Sequence, residues 1–461
     1  MASASDSANQ RDARRLPDAV PENIVLVMIP KTYLAVSRRV ALLTVLAAAS
    51  FTVTLPAQVR AARSRTTAAN GVAAARLARL DTLLDAAVAD GSITGAVGLV
   101  LQDGRVLYER AVGWEDREAS RRMAPDGIFR IASQTKALTS IAIMSLVEQG
   151  TLSLDDRVGR WLPSFATTTV LADGASAPVP ARRQITIRDL LTHTAGISYG
   201  TDARVAEQYR AQALGPAAGR GWYTADKSEP ICTTMDRLGT LPFVAQPGSA
   251  FVYGYSTDIL GCVVERVSGQ SLDAFLTTRI TAPLGMRDTH FFVPDDKRSR
   301  FVTVYMNDSS GRSVRAPDGP RGQGEYVMGP RTSFSGGAGL VSTARDYARL
   351  LQMLLQRGEL DGIRILAPRS VELMTSNQTG TLYATDGRGF GLGFSTVERL
   401  GADGFRSVGT YGWGGAYGST YMVDPSQRLI IVFMINQLPN SSDLASKFVT
   451  LTYQALVPAS R

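Results

Sequence analysis

The chain has 461 residues, 44% of them hydrophobic and 20% charged, enough apolar material for one large enzyme or two to three average domains. No internal repeat or low-complexity tract points to a fibrous or disordered class. The net charge of +8 is concentrated at the start: nine basic and four acidic residues precede position 66, so about +3 remains for the rest. That remainder has no basic stripe interleaved with aromatics, which argues against a nucleic-acid partner. Two histidines, His193 and His290, and two cysteines, Cys232 and Cys262, are too few and too scattered for a recognisable zinc site.

Residues 40–57, VALLTVLAAASFTVTLPA, are apolar and uncharged, follow Ser37-Arg38-Arg39 and lead into small residues at 57–62. This is the layout of an export signal, and the arginine pair matches the twin-arginine route. The run is also long enough for an uncleaved membrane anchor. The polar stretch before residue 28 is long for a signal, so Met28 is an alternative start. Residues 1–61 are therefore expected to be the leader of an exported, periplasmic or secreted protein that touches a membrane only if the leader is retained. In such a compartment a Cys232–Cys262 disulfide is permitted; two free, buried thiols are the alternative.

From residue 75, ARLARLDTLLDAAVAD carries leucine and alanine at helical spacing and stops at Gly91. GAVGLVLQ and RVLYERAVGW then read as strands joined at Asp103-Gly104, a hairpin signal. Helices are predicted from Thr135 (TKALTSIAIMSLVEQ), Ile185 (ITIRDLLTH), Ser256 (STDILGCVVERVS) and Ser342 (STARDYARLLQMLLQRG). TYMVD and LIIVFMIN flank Pro425-Ser426-Gln427 as a second hairpin, and a last helix follows from Ser442. Strands at both ends with helices between them predict an α/β (α+β) fold. It has one antiparallel sheet built from both chain ends and flanked by helices, within a domain spanning 75–461 whose mostly helical second lobe covers roughly 151–330. Regular βαβ alternation is absent, so a doubly wound parallel sheet is not expected.

The sharpest chemical signal is Ser133-Gln134-Thr135-Lys136, which opens an apolar helix after GIFRIAS. Residues three apart share a helix face, so the Ser133 hydroxyl and the Lys136 amine fall within reach of each other. A serine hydroxyl becomes a nucleophile when a neighbouring base takes its proton, and a lysine serves as that base when burial and neighbours depress its pKa. Lysine is scarce here, only residues 31, 136, 227, 297 and 447, so one kept on so apolar a helix is hard to ascribe to composition.

Further segments follow in order: LSLDDRVGRWLP from Leu152, ITIRDLLTHTAGI from Ile185, QPGSAFVYGYSTDILG from Gln246, GGAGLVSTARDYARLLQMLL from Gly336 and YGWGGAYGSTYMVDP from Tyr411. Together with the Ser-x-x-Lys helix, and over roughly residues 80–455, the chain resembles the serine β-lactamase-like family. That family holds class C β-lactamases, D-alanyl-D-alanine peptidases and family VIII carboxylesterases, and the motifs here are most similar to the last. The resemblance implies that Ser133 is the nucleophile, Lys136 its partner and Tyr253 the catalytic tyrosine, with Tyr255 a rival for that role. It also implies an oxyanion hole from the N–H groups of Ser133 and Ala416, with Trp413, Gly414 and Gly415 lining the substrate. Two such donors stabilise charge that appears only in the transition state.

Two departures bear on substrate. Tyr253-Gly254-Tyr255 lacks the asparagine of a Tyr-x-Asn motif, and Trp413-Gly414-Gly415 stands where β-lactamases and peptidases carry Lys-Thr-Gly. The groups that would pair with a substrate carboxylate are gone. The expected activity is therefore hydrolysis of small carboxylic esters through an acyl-Ser133 intermediate, with Lys136 and Tyr253 as general base and acid and no metal or organic cofactor. The alternatives are amide hydrolysis of a β-lactamase or D-alanyl-D-alanine carboxypeptidase type, acyl transfer to an alcohol or amine, and a catalytically silent relative used for binding. Gly196-Ile197-Ser198-Tyr199-Gly200 also fits a Gly-x-Ser-x-Gly elbow, but a helix rather than a strand is predicted before it, and His290 could serve as its base only by coincidence.

Overall fold

The computed structural model describes residues 74–456 apart from 172, 216–226, 310, 319–322 and 441; the expected leader, with its signal and Met28, lies outside the described residues. Asp103 and Gly104 take left-handed conformations, φ 51° and 75°, folding β1 (Gly95–Gln102) back on β2 (Arg105–Asp116) as the dipeptide requires. A short β3 (Arg121–Arg122) extends that edge. The C-terminal part of the chain supplies β4 (Arg388–Phe390), β5 (Ser395–Val397), β6 (Tyr411–Gly414), β7 (Thr420–Asp424) and β8 (Leu429–Ile435). The eight strands form one antiparallel sheet in the order β4-β5-β6-β7-β8-β1-β2-β3, so the two chain ends meet at the β8–β1 pair.

Seven helices matter for the argument: α1 (Ala74–Ala89), α2 (Thr135–Glu148), α3 (Ile187–Leu191), α4 (Ile231–Leu238), α5 (Ser256–Ser268), α6 (Ala344–Leu355) and α7 (Leu444–Ala455). The sheet sorts them by the two-residue period of its strands. In β8 every residue is buried, with Leu429, Ile431, Phe433 and Ile435 facing the terminal helices α1 and α7. Ile430, Val432 and Met434 face the opposite core, built around α2, α5 and α6. Gly98 in β1 leaves room for Phe448 of α7: a Cβ there would lie 2.7 Å from the phenyl ring. Helix α2 is buried from Thr135 to Met144, which explains its nearly continuous apolar sequence. Among the described residues, no helix is long and apolar enough to cross a membrane.

Two predicted helices begin later than their sequences suggest. Thr186 caps α3 in a capping box with Asp189, and the stretch ends where His193 turns left-handed at φ 55°. Val341 and Ser342 pair with Phe129 and Arg130 as strands, so Thr343 caps α6 through the Asp346 N–H. The span expected as a helical lobe holds α3, α4, α5, shorter helices and two short strand pairs, 169–170 with 179–180 and 305–307 with 313–315. Its apolar residues share one core with the inner face of the sheet. Cys232 on α4 and Cys262 on α5 form a disulfide, Cα atoms 5.0 Å apart, which resolves the alternative left open by the sequence.

Candidate active site

Ser133 sits in a single 3₁₀ turn, Ala132–Gln134, that leads straight into α2. Ala132 before it is left-handed at φ 43°, a conformation costly for a residue with a side chain. One turn on, the Lys136 amine lies 3.3 Å from the Ser133 hydroxyl. It also donates to the Tyr199 hydroxyl and to the Gly337 carbonyl, each at 2.9 Å. Ser133 is 6% and Lys136 2% exposed, so this pair is removed from bulk water.

Tyr253 presents its ring, rather than its hydroxyl, to the lysine: the ring centroid lies 4.7 Å from Nζ. The Tyr253 hydroxyl accepts a hydrogen bond from the Trp413 indole N–H at 3.1 Å. The rival Tyr255 is buried and points away, its hydroxyl accepting the Gly215 N–H at 2.8 Å. Tyr199 is the residue that sequence reasoning missed. It lies inside the Gly-x-Ser-x-Gly stretch, whose Ser198 hydroxyl accepts the Gly200 N–H at 3.0 Å and serves its own turn. His290, the base weighed for that elbow, is paired instead with Lys297 at 3.1 Å. The signal for Tyr199 was slight: a tyrosine between two glycines, Gly196 and Gly200, both left-handed in the structure.

The strand edge expected to hold substrate reaches the serine turn. A Cβ on Gly415 would lie 2.5 Å from the Ile131 carbonyl, so only glycine allows the Trp413–Ala416 segment this close. Ala416 packs in the same small cluster as Ala132, next to Ser133.

Above the pair stands an aromatic wall. Tyr253 and Trp413 have ring centroids 5.5 Å apart, and Phe390 lies 5.3 Å from Trp413. Phe251 and Tyr383, 4.8 Å apart, continue it. His193 is fully buried among these rings, 4.7 Å from Tyr253. Burial, and then the nearby Lys136 charge, push its imidazole well below the ordinary histidine range, so it serves as a neutral ring. Among the described residues, no group of three or more His, Cys, Asp or Glu side chains is placed to hold a metal ion.

Comparison with known proteins follows the same lines. The family model described as beta-lactamase matches residues 80–454. The chain is 35% identical over 379 residues to esterase EstB of Burkholderia gladioli, covering 79% of this chain and 91% of that protein. It is 32% identical over 398 residues to a lovastatin esterase of Penicillium rubens, covering 79% and 94%. Its fold matches the solved structure of EstCE1, a hydrolase with promiscuous acyltransferase activity, at a TM-score of 0.68 and 29% identity, over 82% of this chain and 98% of that one.

Proposed function

The chain belongs to the beta-lactamase family and is a serine hydrolase, and from that premise we propose that it cleaves small, uncharged carboxylic esters through an acyl-Ser133 intermediate. The observation that carries this reading is the Lys136 amine 3.3 Å from the Ser133 hydroxyl in a buried site. In the first half-reaction the Ser133 oxygen attacks the ester carbonyl while its proton passes to Lys136. The N–H groups of Ser133 and Ala416 hold the oxyanion. Collapse breaks the ester C–O bond, and the departing alkoxide takes up a proton relayed through Tyr253. Water, deprotonated by the same groups, then attacks the acyl carbon and releases the acid and free Ser133.

The wall of Tyr253, Trp413, Phe390, Phe251 and Tyr383 supports an apolar acyl or alcohol group. The Trp413-Gly414-Gly415 segment offers no cation for a carboxylate, which disfavours β-lactams and cell-wall peptides. The similarity to two esterases points the same way. The Cys232–Cys262 disulfide supports an oxidising compartment, in keeping with export through residues 40–57.

Turnover of p-nitrophenyl butanoate and of nitrocefin by wild type and Ser133→Ala tests the reading. The ester is expected to turn over faster, with an acyl adduct visible by intact mass. Ser133→Ala is expected to lose roughly 10⁴-fold or more in kcat. Faster nitrocefin hydrolysis would replace the ester reading with amide chemistry; Ser133→Ala activity at the wild-type level would remove the proposed nucleophile.

A further inference from the structure

Lys136 is buried, and a buried amine that takes up a proton needs an opposite charge within reach. Its hydrogen-bond partners supply none, since Ser133 and Tyr199 offer hydroxyls and Gly337 a peptide carbonyl. By contrast, Lys297 and Lys447 each pair with an aspartate, Asp288 and Asp443. The carboxylate whose field reaches Lys136 is Asp258, 2% exposed in the first turn of α5.

A single residue joins the two groups. Gly337 donates its N–H to Asp258 Oδ1 at 3.2 Å and accepts from Lys136 Nζ with its carbonyl at 2.9 Å. The Ser335 hydroxyl donates to the same carboxylate oxygen and accepts the Ala338 N–H at 3.0 Å, so Asp258 fixes the whole turn. The turn seats so tightly that a Cβ on Gly337 would lie 2.4 Å from Asp258 Oδ2, and one on Gly336 2.6 Å from the Thr257 carbonyl. Gly337 thus follows from the carboxylate beneath it, and Gly336 from the backbone of α5.

We propose that Asp258 is the positioning residue of this site: it aims the Gly337 carbonyl at the Lys136 amine and supplies the negative charge that offsets the ammonium formed when Lys136 takes the Ser133 proton. The proposal rests on the Ser133–Lys136 reading above. The other titratable groups facing the amine are Tyr199 and His193 from the stretch after α3 and Tyr253 from the segment before α5. His193 is neutral, and Asp258 is the carboxyl group coupled to the amine. Burial prevails and holds its carboxyl above the ordinary range, against the opposing pull of the Ser335 hydroxyl, the Lys136 charge and the Gly337 N–H, so the ammonium is what favours its ionised form.

The test is the pH profile of kcat/KM for the full chain on a p-nitrophenyl ester, with wild type, Asp258→Asn and Ser335→Ala compared. Asp258→Asn keeps the acceptor oxygen and loses the charge. With that charge gone the ammonium formed in the reaction is less favoured, and the acidic limb of the profile is expected to move to lower pH by about one unit. Ser335→Ala leaves the carboxyl group in place but removes the donor that fixes it and the turn, so kcat is expected to fall several-fold at unchanged KM. An Asp258→Asn limb at the wild-type pH overturns the proposal. If that variant does not fold, Ser335→Ala decides: lower kcat at constant KM supports the proposal, and wild-type kcat overturns it. Failure of the underlying reading would register separately, as turnover surviving in Ser133→Ala with no acyl adduct.

Discussion

At the scale of single residues, the candidate site divides two tyrosines between two tasks. Tyr199 holds the Lys136 amine by a hydrogen bond, while Tyr253 lies with its ring against that amine and its hydroxyl on the Trp413 indole. On the proposed mechanism Tyr253 relays the proton to the leaving alcohol, so Tyr253→Phe is expected to lower kcat by roughly 10²–10³-fold. Tyr199→Phe removes one of three partners of the amine and is expected to cost about 10-fold, through misplacement of the lysine. Steady-state kinetics on one ester check both, and equal losses would sink the division of roles. Ser133, Lys136 and Trp413 stood out as candidates in the sequence because each lies in a short contiguous motif. Tyr199 and Asp258 were not read as parts of the site. Their roles depend on a loop after α3 and a turn at residues 335–338 reaching Lys136 across 63 and 201 positions of chain.

At the scale of elements, α3 anchors the loop that delivers Tyr199. The Asp189 N–H donates to the Thr186 hydroxyl, and Asp189 Oδ2 accepts the Thr186 N–H at 2.9 Å. Arg183 clamps the same carboxylate from 2.5 and 2.9 Å. Thr186→Ala is expected to lower unfolding stability by about 1 kcal/mol, read by thermal or chemical denaturation. Although burial opposes ionisation of Asp189, the Arg183 guanidinium and the Thr186 donors prevail and hold its carboxyl below the usual 3.8. Its contribution to stability is thus complete above pH 3.8 and fades as the pH falls through the lower folded-state value. The stability gap between wild type and Asp189→Asn should accordingly be full at pH 7 and shrink only below about pH 4; a gap that already closes at pH 6 would contradict the assignment.

At the scale of the whole molecule, the sheet joins chain ends more than 300 residues apart, with β1 and β8 paired from Ala96↔Ile435 to Gln102↔Leu429. The helices carrying Lys136 and Asp258 share one core with the inner face of that sheet, so the site depends on both ends of the chain having met. The Cys232–Cys262 disulfide braces α4 against α5, the helix on which Asp258 sits. Replacing both cysteines by serine is expected to cost about 2–4 kcal/mol of stability. A reducing agent should lower the wild-type melting temperature and leave the double variant unmoved. A melting temperature insensitive to reduction would show that the bridge contributes nothing.

The sequence alone determined the two hairpins, the terminal helices and the Ser133–Lys136 pair. Each depends on periodicity, turn chemistry or a spacing of a few residues, and local sterics enforce these wherever the chain lies. Only the tertiary structure decided that Tyr199 rather than Tyr253 bonds the amine, that Cys232 and Cys262 join, and that Asp258 reaches Lys136 through the peptide of Gly337. These contacts cross long stretches of chain. They arise because packing one core brings particular side chains together, which no local pattern encodes.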